Sequence, residues 1–338
     1  MTTVEHDARP AAPGDGRRRR RGGRRGEQPM VPDAEFTSYY GRPVVRPSPW
    51  TADIPAYLFT GGLAASTSLL AAGADATGRP ALRRSSRITA LAAIAVSFAA
   101  LVHDLGRPAR FHHMLRVAKV TSPMSVGTWL LAVYGPLVGA AAVSEAADRM
   151  PASESVRRAG RVAGWGAAAI APAVASYTAV LLSDTATPTW RDARRELPFL
   201  FAASAAAAGG GAAMVLAPVE EADVGRRLAV AGAVADLALT RRIESTIGLS
   251  AEPMHEGLAG RYLKAAKALT AGGALAAATV GRRSRTASVA GGVALLAGSW
   301  CTRFGIFHAG QQSARDPRYT VVPQRQRLDE RRRADSQR

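Results

Sequence analysis

The densest set of ionisable side chains beside an apolar stretch is His103, Asp104, Arg107, Arg110, His112, His113, Arg116 and Lys119, closing with Ser122-Pro123-Met124-Ser125. It places proton-exchanging imidazoles and a carboxylate among fixed guanidinium charges, the groups needed to pass protons at a membrane surface. A solvated positive loop accounts for the Arg and Lys, and less well for Phe111 and the His112–His113 pair. A second set runs Ser176-Tyr177-Thr178, Ser183-Asp184-Thr185 and Pro188-Thr189-Trp190. A Tyr inside a span can donate to a carbonyl, and a carboxylate at the rim can exchange protons with water. Tyr177 taken alone is more often a packed helix contact. The third set is Asp236 and Glu244, eight residues apart, with Arg241 and Arg242 between them. Carboxylates at membrane depth cost several kcal/mol unless paired or hydrated. They read as a polar track for protons or a headgroup, as an Asp–Arg pair holding helices in register, or as a span that ends near Leu239.

The elements that position these groups are long apolar helices. Four runs lack Asp, Glu, Lys and Arg altogether: Ile54–Ala74 (21 residues), Val120–Ser144 (25), Val162–Ser183 (22) and Leu197–Val219 (23). A helix needs about 20 apolar residues to cross a bilayer core. The mean hydropathy of −0.02 therefore averages a polytopic membrane protein with its polar parts. Spans are expected at about 54–74, 86–104, 124–145, 162–183, 197–218, 226–246, 264–281 and 286–306, eight in all, the sixth being the most charged. They are rich in Ala and Gly: Gly61, Gly62, Ala65 and Ser66 form one small-residue patch and Gly209–Gly211 another, the pattern of tight helix packing in lipid. A basic Arg/Gly/Pro-rich tail and surface arm, 1–48, would precede a membrane domain, 49–308, and a basic tail, 309–338.

Several chemistries are excluded. The single Cys301 cannot build a disulfide framework, a self-supplied Fe–S cluster or a Cys-based zinc site. A membrane haem needs two His on facing helices, whereas only His103 and His308 fall at span ends. No phosphate loop or nucleophile elbow occurs in a strand-to-helix setting. The formal charge is +18, and half of it lies in residues 1–46 and 303–338. Clustered Arg could neutralise nucleic-acid phosphates, but anionic lipid headgroups are the simpler partner for tails on a membrane protein, and no nucleic-acid role is expected. An even number of spans with two basic tails places both termini in the cytoplasm. The segments 79–87 and 149–161, with four Arg each, do not follow that pattern.

At His103-Asp104-Leu105-Gly106-Arg107-Pro108-Ala109-Arg110-Phe111, followed by Thr121-Ser122-Pro123-Met124-Ser125-Val126-Gly127-Thr128-Trp129, the chain resembles the NrfD-like polysulfide reductase membrane-subunit family. Segments Trp50–Ala65, Tyr177–Trp190 with Leu197-Pro198, and Arg303–Tyr319 agree in order, so the likeness runs through about residues 39–323. The resemblance implies an all-α subunit of eight helices in two four-helix bundles, free of haem and Fe–S and reactive with quinone or menaquinone. It also implies a ferredoxin-like Fe–S partner and a molybdopterin catalytic subunit. Carried onto this chain, the quinone and proton-exchange site comprises Asp53, Tyr57, His103, Asp104, Tyr177 and Asp184. Some members carry an Asn and a His at the start of span one, where this chain has Ile54 and Tyr57. Arg107, Arg110, His112 and Arg116 would belong to the partner dock, and Asp236 and Glu244 to a proton path. A secondary transporter or redox-coupled proton channel using Asp236 and Glu244 is the competing reading. It lacks the paired broken spans of such proteins.

Overall fold

The chain divides into residues 1–39 and a compact unit, 40–338. The computed structural model describes residues 43–147 and 154–336, so most of the expected 1–48 tail lies outside the described residues. Nine long helices are labelled here: α1 (Asp53–Ala76), α2 (Pro80–Asp104), α3 (Pro123–Ala147), α4 (Glu154–Ser183), α5 (Leu197–Leu216), α6 (Asp223–Thr246), α7 (Gly257–Ala278), α8 (Arg285–Arg315) and α9 (Arg318–Ser336). No strand occurs among the described residues. Their starts follow local chemistry. Pro80 and Pro198 sit in first turns, where a missing N–H costs nothing, and the Ser284 side chain accepts from the Ala287 N–H at 3.3 Å. The α1–α2 turn passes through Gly78 at φ 66°, a conformation that favours a residue without a Cβ.

The first eight helices form two four-helix bundles. In the first, α1 packs on α2 and α4, while α3 packs on α2 and α4. In the second, α5 packs on α6 and α8, while α7 packs on α6 and α8. The bundles meet where α1 touches α5 and α8, and where α4 touches α5. The small-residue patches lie at these seams. A Cβ on Gly209 would fall 2.3 Å from Ser66 Oγ, and one on Gly210 would fall 2.4 Å from the Gly225 carbonyl oxygen. One on Gly211 would fall 2.7 Å from the Gly292 carbonyl oxygen. Three consecutive glycines thus let α5 touch α1, α6 and α8 with its backbone, gaining dispersion contact that lipid cannot replace.

Six helices are long and apolar enough to cross a membrane: α1, α2, α3 (to Glu145), α4, α5 and α8. The expected eight becomes six on that measure. The two that fail, α6 and α7, carry Arg226, Arg227, Asp236, Arg241, Arg242 and Glu244, and Arg261, Lys264 and Lys267. They complete the second bundle because their buried faces are mostly Ala, Gly and Thr, with Ile243 and Leu263, and only Arg226 and Asp236 among the buried charges. Helix α4 begins a full two turns before the expected 162, and α8 runs past 308 to Arg315, beyond which α9 occupies most of the basic tail.

Candidate functional site

A cavity of about 380 Å³ lies inside the first bundle, at the end where α1 and α3 begin and α2 and α4 finish. Its walls are apolar: Ile54 on α1, Phe98 and Leu101 on α2, Met124 and Leu131 on α3, and Leu181 on α4. Polar groups are few, chiefly Tyr57, Tyr177, Thr128 and Asp104. This is the composition of a site for a flat, mostly apolar ligand fixed at a few polar points. Tyr57 is 2% exposed. The Tyr177 hydroxyl is buried and lacks a hydrogen-bond partner among the described residues. A buried hydroxyl left unpaired costs free energy, so one aimed at a cavity marks where a carbonyl acceptor would be welcome.

The Tyr177 ring reaches the cavity because of Gly127. A Cβ at that position would lie 2.3 Å from the ring. The same helical segment fixes the roof. Ser125 Oγ donates to the Val117 carbonyl at 2.9 Å and accepts from the Lys119 N–H at 2.9 Å, and Trp129 Nε1 donates to the same Val117 carbonyl at 3.2 Å. Those bonds tether the end of the 105–122 connection. Its 3₁₀ turn, Pro108–Arg116, places Phe111, Met114 and Leu115 over the cavity. Gly106, at φ 66°, makes the turn that starts it. The Ser-Pro-Met-Ser-x-Gly-x-Trp run therefore seats a tyrosine and ties down a lid strand.

Beside the cavity mouth the carboxylates form a short network. His103 Nδ1 lies 2.8 Å from Asp53 Oδ2. Thr51 Oγ1 is 3.0 Å from Asp53 Oδ2 and 3.1 Å from Asp104 Oδ1, so its single proton serves one carboxylate at a time. The Thr51 N–H also reaches Asp104 Oδ1, at 3.4 Å. Asp53 precedes Tyr57 by one helical turn, which puts both on one face of α1. The His103 side chain is 78% exposed, so one end of the network meets water while Asp104 lines the cavity.

Five of the six expected quinone-site residues thus gather at one place: Asp53, Tyr57, His103, Asp104 and Tyr177. Asp184 is exposed, past the end of α4, and does not line the cavity. Arg107, Arg110, His112 and Arg116 are all exposed on the roof connection. His112 and His113 pack edge to face at 4.4 Å. Asp236 and Glu244 do not share an environment. Asp236 is 3% exposed, takes a 3.4 Å bond from Thr240 Oγ1, and leaves Oδ2 unpartnered. Glu244 receives Lys267 Nζ of α7 at 2.6 and 2.8 Å.

Three further residues escape the reading by type and spacing. Arg303 of α8 is fully buried between the bundles, donating to the Phe201 carbonyl at 2.7 Å and the Leu58 carbonyl at 3.3 Å, with its guanidinium 3.9 Å above the Phe201 ring. Its only signal is a lone charge after the 17 charge-free residues 286–302. Trp190 is fully buried and donates to the Ile306 carbonyl at 2.8 Å, its ring against Gly310. It stacks with Trp50 at 6.0 Å, which lines the cavity, and so joins the second bundle to the site. Among the described residues no group of three or more His, Cys, Asp and Glu is arranged to hold a metal ion.

Compared with known proteins, residues 44–242 match the family described as polysulphide reductase, NrfD. The match takes in the cavity, its roof and α6 up to Arg242, and stops short of the Arg303–Tyr319 segment. No curated protein matches the chain.

Proposed function

The chain belongs to the polysulphide reductase NrfD family, and on that premise we propose that it is the quinone-reactive membrane subunit of a molybdopterin oxidoreductase complex. Subunits of this family serve as membrane components of molybdoenzyme complexes, in company with Fe–S and molybdopterin subunits. The observation that carries the reading is the 380 Å³ apolar cavity with the unpartnered Tyr177 hydroxyl inside it and the family signature as its roof.

The residues present fit a quinone headgroup: aliphatic and aromatic walls for the ring, two tyrosines for its carbonyls, and a carboxylate at the mouth. Bound there, a quinol supplies electrons and protons that must leave by different routes. In this proposal Tyr177 and Tyr57 orient the headgroup. Asp104 accepts a proton at the mouth, the Thr51 hydroxyl links it to Asp53, and the Asp53–His103 pair delivers the proton to water. Thr51 turns from one carboxylate to the other as charge moves between them. The exposed Arg107, Arg110, His112 and Arg116 face a docked ferredoxin-like Fe–S subunit, which accepts or supplies the electrons. Ile54 and Tyr57, where some members carry Asn and His, both line the cavity, so Tyr57 takes the polar role at this wall. The complex would sit in the cytoplasmic membrane and serve anaerobic respiration, with both basic tails and the dock on the cytoplasmic side.

The test uses the purified complex. Asp104→Asn and His103→Ala should each lower quinol-to-acceptor turnover by about a hundredfold, the lower end of what positioned proton transfer contributes. Unchanged turnover in both, with Tyr177→Phe also silent, would show that the cavity is not the quinone site.

A further inference from the structure

The quinone cavity is closed on one side and open on the other. Its lining residues on α1, Ile54 and Tyr57, are buried, whereas those from α2, the roof and α3 include Phe98, Leu105, Phe111, Leu115 and Met124, all exposed. The opening therefore lies on the α2–α3 side, below the roof. Met124, Thr128 and Ala132 line it at every fourth position of α3, one stripe of that helix, and Phe98 and Val102 do the same on α2. Only 33% of the apolar stretch of α2, and of α3, is buried inside the protein, against 78% for α1. The exposed neighbours of the stripe, Val96 on α2 and Val126 and Val133 on α3, are apolar, so this side of the bundle faces lipid. The seam is also pinned at one end only. Hydrogen bonds between α2 and α3 run from Arg83 and Arg87 to Ala141, Ser144 and Glu145, at the end away from the cavity. At the cavity end His103 and Asp104 bond to residues 51–53 instead, and Thr128 Oγ1 donates to the Met124 carbonyl of its own helix at 2.9 Å. Below Ala132 the seam closes by ring against backbone, since a Cβ on Gly135 would lie 2.9 Å from the Phe98 ring. Pro136 has no N–H for the Ala132 carbonyl, so α3 lacks one backbone bond at this level and bends more easily there.

Resting on the quinone reading of the cavity, we infer that the cavity end of the α2–α3 seam is the passage for a long-tailed quinone. The headgroup enters from lipid between Phe98 and Met124, and the bound tail lies along Thr128 and Ala132 and out into the bilayer. A cavity of about 380 Å³ takes a ring headgroup, whereas a tail of many isoprene units exceeds it and must leave through a wall. Towards the roof the tail would meet water and the exposed Arg107, Arg110 and Arg116, where hydrocarbon is unfavourable. Along the seam it meets the Phe98 ring, the Val102 and Ala132 side chains and the Met124 thioether, which adapts to irregular apolar shapes.

The purified complex in nanodiscs gives the test, with two quinols that share a ring and differ in the tail: a long-tailed menaquinol and tailless menadiol. Ala132→Phe should lower kcat/KM for the long-tailed quinol relative to menadiol by about tenfold, the low end of what overpacking a filled site costs. Ala132→Leu should shift the ratio less, in the same direction. Val234→Phe, at an exposed position of α6 in the other bundle, should leave the ratio at its wild-type value. An unchanged ratio in Ala132→Phe, while Tyr177→Phe slows both quinols, overturns the passage and leaves the quinone reading standing. An equal fall for the two quinols in Ala132→Phe and Ala132→Leu also overturns the passage, as does a ratio moved as far by Val234→Phe. If Tyr177→Phe slows neither quinol, the quinone reading fails and the passage with it. Unaltered melting of Ala132→Phe shows that the fold is intact.

Discussion

Tyr177 and Gly127 act as one unit, and substitutions at the two should separate binding from folding. The Tyr177 hydroxyl is buried without a hydrogen-bond partner among the described residues. Removing such a group relieves a desolvation cost, so Tyr177→Phe should leave the melting temperature equal or raise it while lowering quinol turnover. Stability bought at the expense of activity is the mark of a ligand-facing group. Gly127→Ala should lose both. Its Cβ meets the Tyr177 ring at 2.3 Å, so either the ring leaves the cavity or α3 moves away from α4. Overpacking of that kind costs about 1–3 kcal/mol. Melting and quinol turnover should then fall together in Gly127→Ala. Thermal melts and steady-state kinetics on the two variants check both statements, and a Gly127→Ala protein with wild-type melting and turnover would show that Tyr177 is not held by this contact.

At the scale of elements, the roof connection 105–122 is held by few bonds, and they come from α3. Ser125 and Trp129 together contribute three bonds to residues 117–119, while the 3₁₀ turn itself is exposed along its length. Ser125→Ala combined with Trp129→Phe should therefore loosen the roof without touching the bundle. Trypsin, cutting after Arg107, Arg110, Arg116 or Lys119, should act roughly a hundredfold faster, since each of the three lost bonds contributes on the order of 1 kcal/mol to closing. The melting temperature should hold. Equal cleavage rates would mean that the roof is fixed by Phe111 and Leu115 alone. Much of this was legible in the sequence. Charge-free runs gave the apolar helices, and the signature segments led to five of the six residues at the cavity. What was not legible has a physical cause. Span ends blurred because α4 begins in the charged, exposed residues 154–161 and α8 continues past 306 through polar residues packed inside the protein, where hydropathy no longer marks the helix. The count of eight turned on α6 and α7, most of whose charges face outward, Arg226 and Asp236 excepted, while small residues face inward. Glu244 reads as Asp236's partner by spacing, yet it answers to Lys267 on a different helix.

For the whole molecule, the question is what holds two bundles of small residues in one orientation. Arg303 reaches from α8 to the Leu58 carbonyl on α1 and the Phe201 carbonyl on α5, bonding both sides of the seam. Asp236 of α6 is the buried acid on that side of the seam, though no ion pair within 4.0 Å joins it to Arg303 among the described residues. The sequence offered Arg241 and Arg242 as partners for this carboxylate, but both are exposed. Asp236 is therefore best explained as the counter-charge of the inter-bundle arginine. If the two buried charges compensate each other across that gap, removing one leaves the other uncompensated at a cost of up to about 3–5 kcal/mol, whereas removing both can be nearly neutral. Asp236→Leu and Arg303→Met should each lower the melting temperature of the full chain strongly, and the double variant should regain more than half of the combined loss. A proton carrier makes the opposite forecast. In that case Asp236→Asn melts like the wild type and keeps its quinol turnover, but in proteoliposomes moves fewer protons per turnover. Additive destabilisation in the double variant, joined to that uncoupling, would return Asp236 to the proton path and leave Arg303 bound to the seam through carbonyls and the Phe201 ring alone.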